Sequence, residues 1–228
     1  MSDKLRFLIT GFGPFPGAPY NPTQPLVARL TKLRRPAFSD VELSSHIFPV
    51  TYKAVDRELP EVLAKVRPQA LLMFGLASHT AHVRIETRAR NAVTLLWPDA
   101  AQTRVRKGSI GLGPDALMFG PHTAKLLRAA LGSGIDARPS RDAGAYLCNY
   151  LSWHAIEAVG ADDDLRLAAF VHIPLLARDG TQRRTSCVTL EELVDAGEAM
   201  LLEMVKLARG AVRESSPFVG WAKRPLPQ

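Results

Sequence analysis

The chain has 228 residues, 46% of them apolar and 22% charged, which is globular composition for one large domain at roughly 100–200 residues per domain. Its 17 prolines and 16 glycines follow no period, excluding collagen-like and solenoid folds, and no stretch reaches the ~18 uncharged apolar residues of a membrane span. The 29 basic and 22 acidic residues give a net charge of +7, but the basic residues are scattered, without aromatic platforms or a nucleic-acid motif, which argues against nucleic-acid binding.

The N-terminus leads through the apolar run Leu5–Thr10 directly into a glycine turn, unlike a signal peptide, so a soluble cytoplasmic protein is expected. The run itself reads as a buried strand opening into the loop Gly11-Phe12-Gly13-Pro14-Phe15-Pro16-Gly17. Leu26, Val27, Leu30 and Leu33 have helical spacing within Thr23–Arg35. Val41–Val50 reads as a strand, and Tyr52–Val66 as a helix bent at Pro60. Ala70–Gly75 is a second continuous apolar strand. His82–Leu95 alternates and predicts one half-exposed strand, followed by a long loop over 97–113. Asp115–Leu131 reads as a helix broken at Gly120-Pro121, Ile135–Pro139 as a strand and Ala145–Val159 as a helix. Leu165–Ile173 is a buried strand and Leu190–Ala208 a long helix ending at Gly210.

Strands alternating with helices predict a single three-layer α/β/α domain over residues 1–210 with a mostly parallel twisted sheet, and residues 211–228 read as a C-terminal arm or a disordered tail. In such sheets a site lies beyond the carboxyl ends of the strands. The loops after Thr10, Gly75 and Ile173 are therefore the places to look.

Cys148 follows Gly144 at the start of a helical stretch. Unpaired N–H groups of a first turn favour an anion and would activate a thiol; a small buried hydrophobe is the plainer alternative. His172 sits at the end of the apolar run Ala168–Ile173, where a polar group needs a partner. Glu86 offers a carboxylate to orient an imidazole, although flanking Arg84 and Arg88 fit a surface ion pair equally well. Nucleophile, base and orienting acid are the parts of thiol acyl transfer, but spacing alone does not bring them together. Cys187 reads as a packing residue. His79 and His82 do not present the helical pair of a zinc hydrolase.

Four segments carry a resemblance. Thr10-Gly11-Phe12-Gly13-Pro14-Phe15, followed by Asn21-Pro22, is similar to the T-G-F-x-P-F loop and N-P of the pyroglutamyl peptidase I family of cysteine exopeptidases. Ala143-Gly144-Ala145-Tyr146-Leu147-Cys148-Asn149 resembles its cysteine box and Phe170-Val171-His172-Ile173-Pro174 its histidine box. Glu86 and Asn91 match its acid-bearing segment, and the intervals of 62 and 24 residues between Glu86, Cys148 and His172 fit. The resemblance runs from about Leu5 to about Ala208.

It implies a Cys148–His172–Glu86 triad that removes an N-terminal pyroglutamyl residue from small peptides through an acyl-enzyme, with no metal or organic cofactor. Phe12 and Phe15 would sandwich the lactam, with Asn21, Leu76, Tyr146 and Leu147 also in substrate-binding positions. Homo-oligomers are common in the family, so assembly is implied as well. The chain departs from the family at Gly75-Leu76-Ala77-Ser78-His79-Thr80, where a glutamine that bonds the lactam is replaced by Leu76. It also lacks the arginine that usually follows the acid. Hydrolysis of a different N-acyl amide or ester, and binding of N-blocked peptides without turnover, stay open. Arg84, Arg88 and Arg90 could serve a more acidic acyl group.

Overall fold

The computed structural model describes residues 4–15, 17–161, 164–176 and 188–215, with side chains through residue 210. Six strands form one sheet in the order β2-β1-β3-β8-β4-β7: β1 (Leu5–Phe12), β2 (Val41–Phe48), β3 (Ala70–Leu76), β4 (Val83–Glu86), β7 (Ala137–Ser140) and β8 (Leu167–Ile173). β1, β2, β3 and β8 run parallel. β4 is antiparallel to β8, and β7 is parallel to β4. The sheet is thus mostly parallel, with its last two strands reversed. The carboxyl ends of β1, β3 and β8 share one edge.

Helices cover both faces, which explains the unbroken apolar runs of β1, β3 and β8. α1 (Thr23–Thr31), α3 (His122–Gly132) and α5 (Leu190–Ser215) bury Leu26, Leu126 and Leu201 against one face. α2 (Tyr52–Val66) and α4 (Leu147–Ala161) bury Val55 and Leu151 on the other, beside Phe170. Local chemistry fixes several helix ends. The Thr51 hydroxyl accepts from the Ala54 N–H at 3.1 Å to cap α2. Thr189 and Glu192 cap α5 reciprocally, each bonding the other's backbone N–H, at 2.7 and 3.2 Å. No helix among the described residues is long and apolar enough to cross a membrane.

Three expectations need correction. The single strand over His82–Leu95 is two short strands, β4 and β5 (Arg88–Arg90). Between them, Thr87 turns away to donate its N–H and hydroxyl to the Ser140 carbonyl, at 2.7 and 2.8 Å. The polar face of β4 is also not half-exposed, because Glu86 is completely buried. The helix over Asp115–Leu131 begins only at His122; Ala116–Met118 instead forms β6, paired antiparallel with β5. Pairing with a preformed strand outweighs the weak helical pattern before Gly120-Pro121. Finally, α5 continues past Gly210 to Ser215, whereas α2 has the expected bounds with exposed Pro60 inside the helix. Cys187 and residues 216–228 of the expected arm lie outside the described residues.

Candidate active site

Cys148 is the second residue of α4. The turn into that helix uses Gly144 at φ +84°, a left-handed conformation natural to glycine. The segment is held from several sides. The Thr94 N–H donates to the Ala145 carbonyl at 2.6 Å, and Arg90 donates to the Gly144 carbonyl at 3.1 Å. The buried Asn149 amide spans the gap to β5: its Nδ2 donates to the carbonyls of Arg90 and Ala92 at 2.8 and 3.0 Å, and its Oδ1 accepts from the Arg90 N–H at 2.8 Å. The backbone N–H groups of Leu147, Cys148 and Asn149 open the helix and have no intrahelical carbonyl to bond. They form a donor cluster at the thiol.

His172 occupies the second-last position of β8 and is only 4% exposed. Its Nδ1 lies 2.8 Å from Oε1 of Glu86, the last residue of β4. Gly75, the residue that Cys148 Sγ packs against, is the partner of His172 across the β3–β8 ladder, which puts the thiol beside the imidazole. Burial by itself would lower the imidazole pKa. Negative charge on Cys148 and hydrogen bonds to Cys148 and Glu86 outweigh burial, and the pKa is pushed up from 6.5 to about 9. Since the folded value exceeds the ordinary one, the stability contributed by this histidine is complete below pH 6.5 and is lost as pH rises through about 9.

Gly75, the second-last residue of β3, explains how the thiol fits. A Cβ there would stand 2.8 Å from Cys148 Sγ and 2.7 Å from the Phe170 ring. Gly75→Ala must therefore displace the sulfur or the ring. Because a displacement near 1 Å can cost about 10²-fold in rate, the variant is expected to lose at least about tenfold in kcat. Steady-state kinetics beside a thermal melt would check it, and unchanged kcat would show that Sγ does not react from this position.

The residues expected around a substrate divide into accessible and buried groups. Leu76 ends β3 and Tyr146 precedes α4, both half-buried; Tyr146 donates its hydroxyl to the Pro98 carbonyl at 3.0 Å. Burial, with Asp99 and Cys148 nearby, pushes the Tyr146 pKa up to about 12, so it stays a neutral donor. Phe15 is half-buried and joins the apolar cluster that holds Tyr146 and Cys148. Phe12 is different: it is 3% exposed, with its ring 6.1 Å from Phe48. The Leu147 side chain is likewise in the core. Asn21 is spent on its own loop. Its Nδ2 donates to the Gly13 carbonyl at 3.0 Å and its Oδ1 accepts from the Thr23 N–H and hydroxyl.

The arginines of β4 and β5 do not stand free to meet an acidic acyl group. Arg84 bonds Glu86 and Ser140, Arg88 donates to the Arg141 carbonyl at 2.8 Å, and Arg90 pairs with Asp142 at 2.9 Å. They clamp the segment between β7 and α4. Among the described residues, no three His, Cys, Asp or Glu side chains are grouped to hold a metal ion.

The pyroglutamyl peptidase family profile matches residues 5–204. The chain belongs to the pyroglutamyl peptidase family, a family of cysteine peptidases. A pyrrolidone-carboxylate peptidase of Thermococcus onnurineus is 28% identical over 206 residues, covering 89% of this chain and all of the relative. One from Gloeobacter violaceus is 31% identical, covering 75% of this chain and 82% of the relative. The crystal structure of the Fervidobacterium islandicum pyrrolidone carboxyl peptidase is 29% identical and superposes with a TM-score of 0.80, covering 89% of this chain and 99% of that one. The pyroglutamyl peptidase I of Bacillus amyloliquefaciens shares the fold at a TM-score of 0.79 with 24% identity, over 89% of this chain and 98% of that one.

Gly75 and Asn149 had no site role in the sequence, and Arg84 had only that of a cation for an acidic acyl group. Gly75 stood only as a strand stop and Asn149 as the end of the cysteine box; Arg84 stood beside Glu86 as a surface ion-pair partner or a cation for the substrate, not as the partner of a buried acid.

Proposed function

We propose that this chain removes an N-terminal pyroglutamyl residue from peptides by nucleophilic catalysis at Cys148. The observation that carries the reading is the buried Glu86–His172 pair at 2.8 Å, with His172 facing Gly75 across the ladder and Cys148, in the first turn of a helix, packed on that glycine. Glu86 engages Nδ1, which leaves Nε2 for the sulfur and for the leaving group.

The Cys148 thiolate attacks the carbonyl carbon of the pyroglutamyl peptide bond, and the C=O electron pair moves onto oxygen. The first-turn N–H groups of α4 receive that oxyanion. As the C–N bond breaks, imidazolium His172 gives its Nε2 proton to the departing amine, leaving a thioester on Cys148. Neutral His172 then takes a proton from water, whose oxygen attacks the thioester. Pyroglutamate leaves, and the sulfur departs as thiolate beside a restored imidazolium.

An apolar slot favours an uncharged lactam over a protonated amino terminus, which would lose its hydration without a counter-ion. Half-buried Phe15, Leu76 and Tyr146 supply that character. Leu76 provides packing where the family uses an amide, so part of the discrimination comes from exclusion of charge. Leu76→Gln is accordingly expected to raise kcat/KM for a pyroglutamyl amide several-fold, one added hydrogen bond contributing about 1 kcal/mol. A fall would mean that the pocket is built for the leucine.

The test of the function is release of aminomethylcoumarin from its pyroglutamyl amide by the purified, reduced protein. Prolyl and alanyl amides serve as charged-terminus controls. Release confined to the pyroglutamyl compound is the expected result. Equal release from all three, or from none, would overturn the assignment.

A further inference from the structure

Arg84 lies two residues before Glu86 on β4, so strand alternation places both on the same sheet face. Across the antiparallel ladder Arg84 is the partner of His172. One Arg84 Nη stands 2.9 Å from Glu86 Oε1, the oxygen that also meets His172 Nδ1. The same guanidinium reaches Ser140 Oγ, at 3.3 Å from Nε and 2.8 Å from Nη2, and donates to the Asp142 carbonyl as well. Its side chain is 21% exposed, whereas that of Glu86 is fully buried.

A buried carboxylate is costly without compensating charge. In the thiolate–imidazolium form of the site, Cys148 and Glu86 are two anions sharing one His172 cation. Of the neighbouring arginines, Arg138 on β7 is paired with Asp136 and Arg90 on β5 with Asp142, each at 2.9 Å, and Arg88 on β5 donates to the Arg141 carbonyl. Arg84 is the cation that meets Glu86, and it brings the four-group cluster to neutrality. Its second set of bonds, to Ser140 and Asp142, grips the segment leading into α4. Nη2 meets both ends, Glu86 Oε1 at 2.9 Å and Ser140 Oγ at 2.8 Å, and Nε adds a second contact to Ser140 at 3.3 Å that a single ammonium nitrogen cannot supply from the same position.

We propose that Arg84 is a positioning residue for this reaction: it holds Glu86 as an oriented carboxylate and ties that carboxylate to the segment that delivers Cys148. The proposal rests on the Cys148–His172–Glu86 reading given above.

The test compares Arg84→Met, Arg84→Lys and Ser140→Ala in pH profiles of kcat/KM, with NMR titration of the His172 ring as a readout that needs no substrate. Arg84→Met is expected to lose about tenfold or more in kcat/KM. Its upper pH limb and the His172 titration should both move up by about one pH unit, because a cation opposing the imidazolium has gone. Arg84→Lys, which keeps the charge without the fork, should restore the wild-type titration while recovering only part of the rate. Ser140→Ala should leave the titration in place.

A folded Arg84→Met protein with wild-type rate and titration would overturn the proposal. So would Ser140→Ala reproducing the Arg84→Met shift, since Arg84 would then act through the loop alone. If Arg84→Met does not fold, a displaced His172 titration in Arg84→Lys overturns the proposal and an unmoved one with a lowered rate supports it. Should the wild type fail to cleave any pyroglutamyl amide, the proposed function falls, while the His172 titrations of the same variants still decide the role of Arg84.

Discussion

Cys148→Ala is expected to lower kcat/KM for a pyroglutamyl amide by about four orders of magnitude. The loss is this large because the sulfur forms the bond that the remaining groups only assist. His172 would keep its 2.8 Å partner Glu86 but have no nucleophile to serve. The first-turn N–H groups and the apolar wall would remain, so binding should outlast turnover. Cys148 is half-buried beside Gly75 and Phe170, and the substitution removes only its sulfur. Stability should therefore change by no more than about 1 kcal/mol. Kinetics with a thermal melt on the same sample check both parts, and an active, folded Cys148→Ala protein would remove the mechanism.

Glu86→Gln is expected to cost about 10²–10⁴-fold in kcat. Glutamine preserves shape but presents a neutral amide, which neither supports the imidazolium nor fixes the tautomer as a carboxylate does. The sign of the pH effect follows from the causes that raise His172. The hydrogen bond and charge of Glu86 both push the imidazole pKa up. Their removal lowers it from about 9, and the alkaline limb of kcat/KM should move to lower pH. Arg84 would at the same time lose its 2.9 Å carboxylate partner. A loss of about 1–3 kcal/mol in stability is expected near neutral pH. The measurement is a kcat/KM profile from pH 5 to about 10 beside a denaturant titration. An alkaline limb that stays in place, or rises, would show that Glu86 does not act on His172.

The opposite signs at Glu86 and Arg84 make the pair informative. Removing the anion lowers the His172 pKa and removing the cation raises it. A purely structural disturbance would not split the two in that way.

The sequence was most legible where one physical signal dominated. Unbroken apolar runs marked β1, β3 and β8, and helical spacing of apolar residues marked α1 and α2. Cys148 and His172 could be singled out locally, one from the glycine before a helix and the other from a polar residue in an apolar strand. Glu86 could not. Its burial depends on the reversed direction of β4, which juxtaposes Arg84 with His172 across the ladder, and no local pattern encodes strand direction. The same long-range pairing converts Arg84 from an apparent surface charge into the partner of a buried acid. β6 was missed because three residues of a strand carry too little periodicity to compete with an adjoining helix. The residues expected around a substrate could be chosen as positions but not by their exposure. The Asn21 amide closes its own loop, and Phe12 packs on Phe48.

The most direct test of the central claim is labelling with a pyroglutamyl chloromethyl ketone, which requires recognition of the lactam and attack by the nucleophile in one event. The account predicts one equivalent of label per chain, located by peptide mass on Cys148, and much slower labelling by the prolyl analogue. Label on another residue, or equal rates with the two reagents, would contradict it.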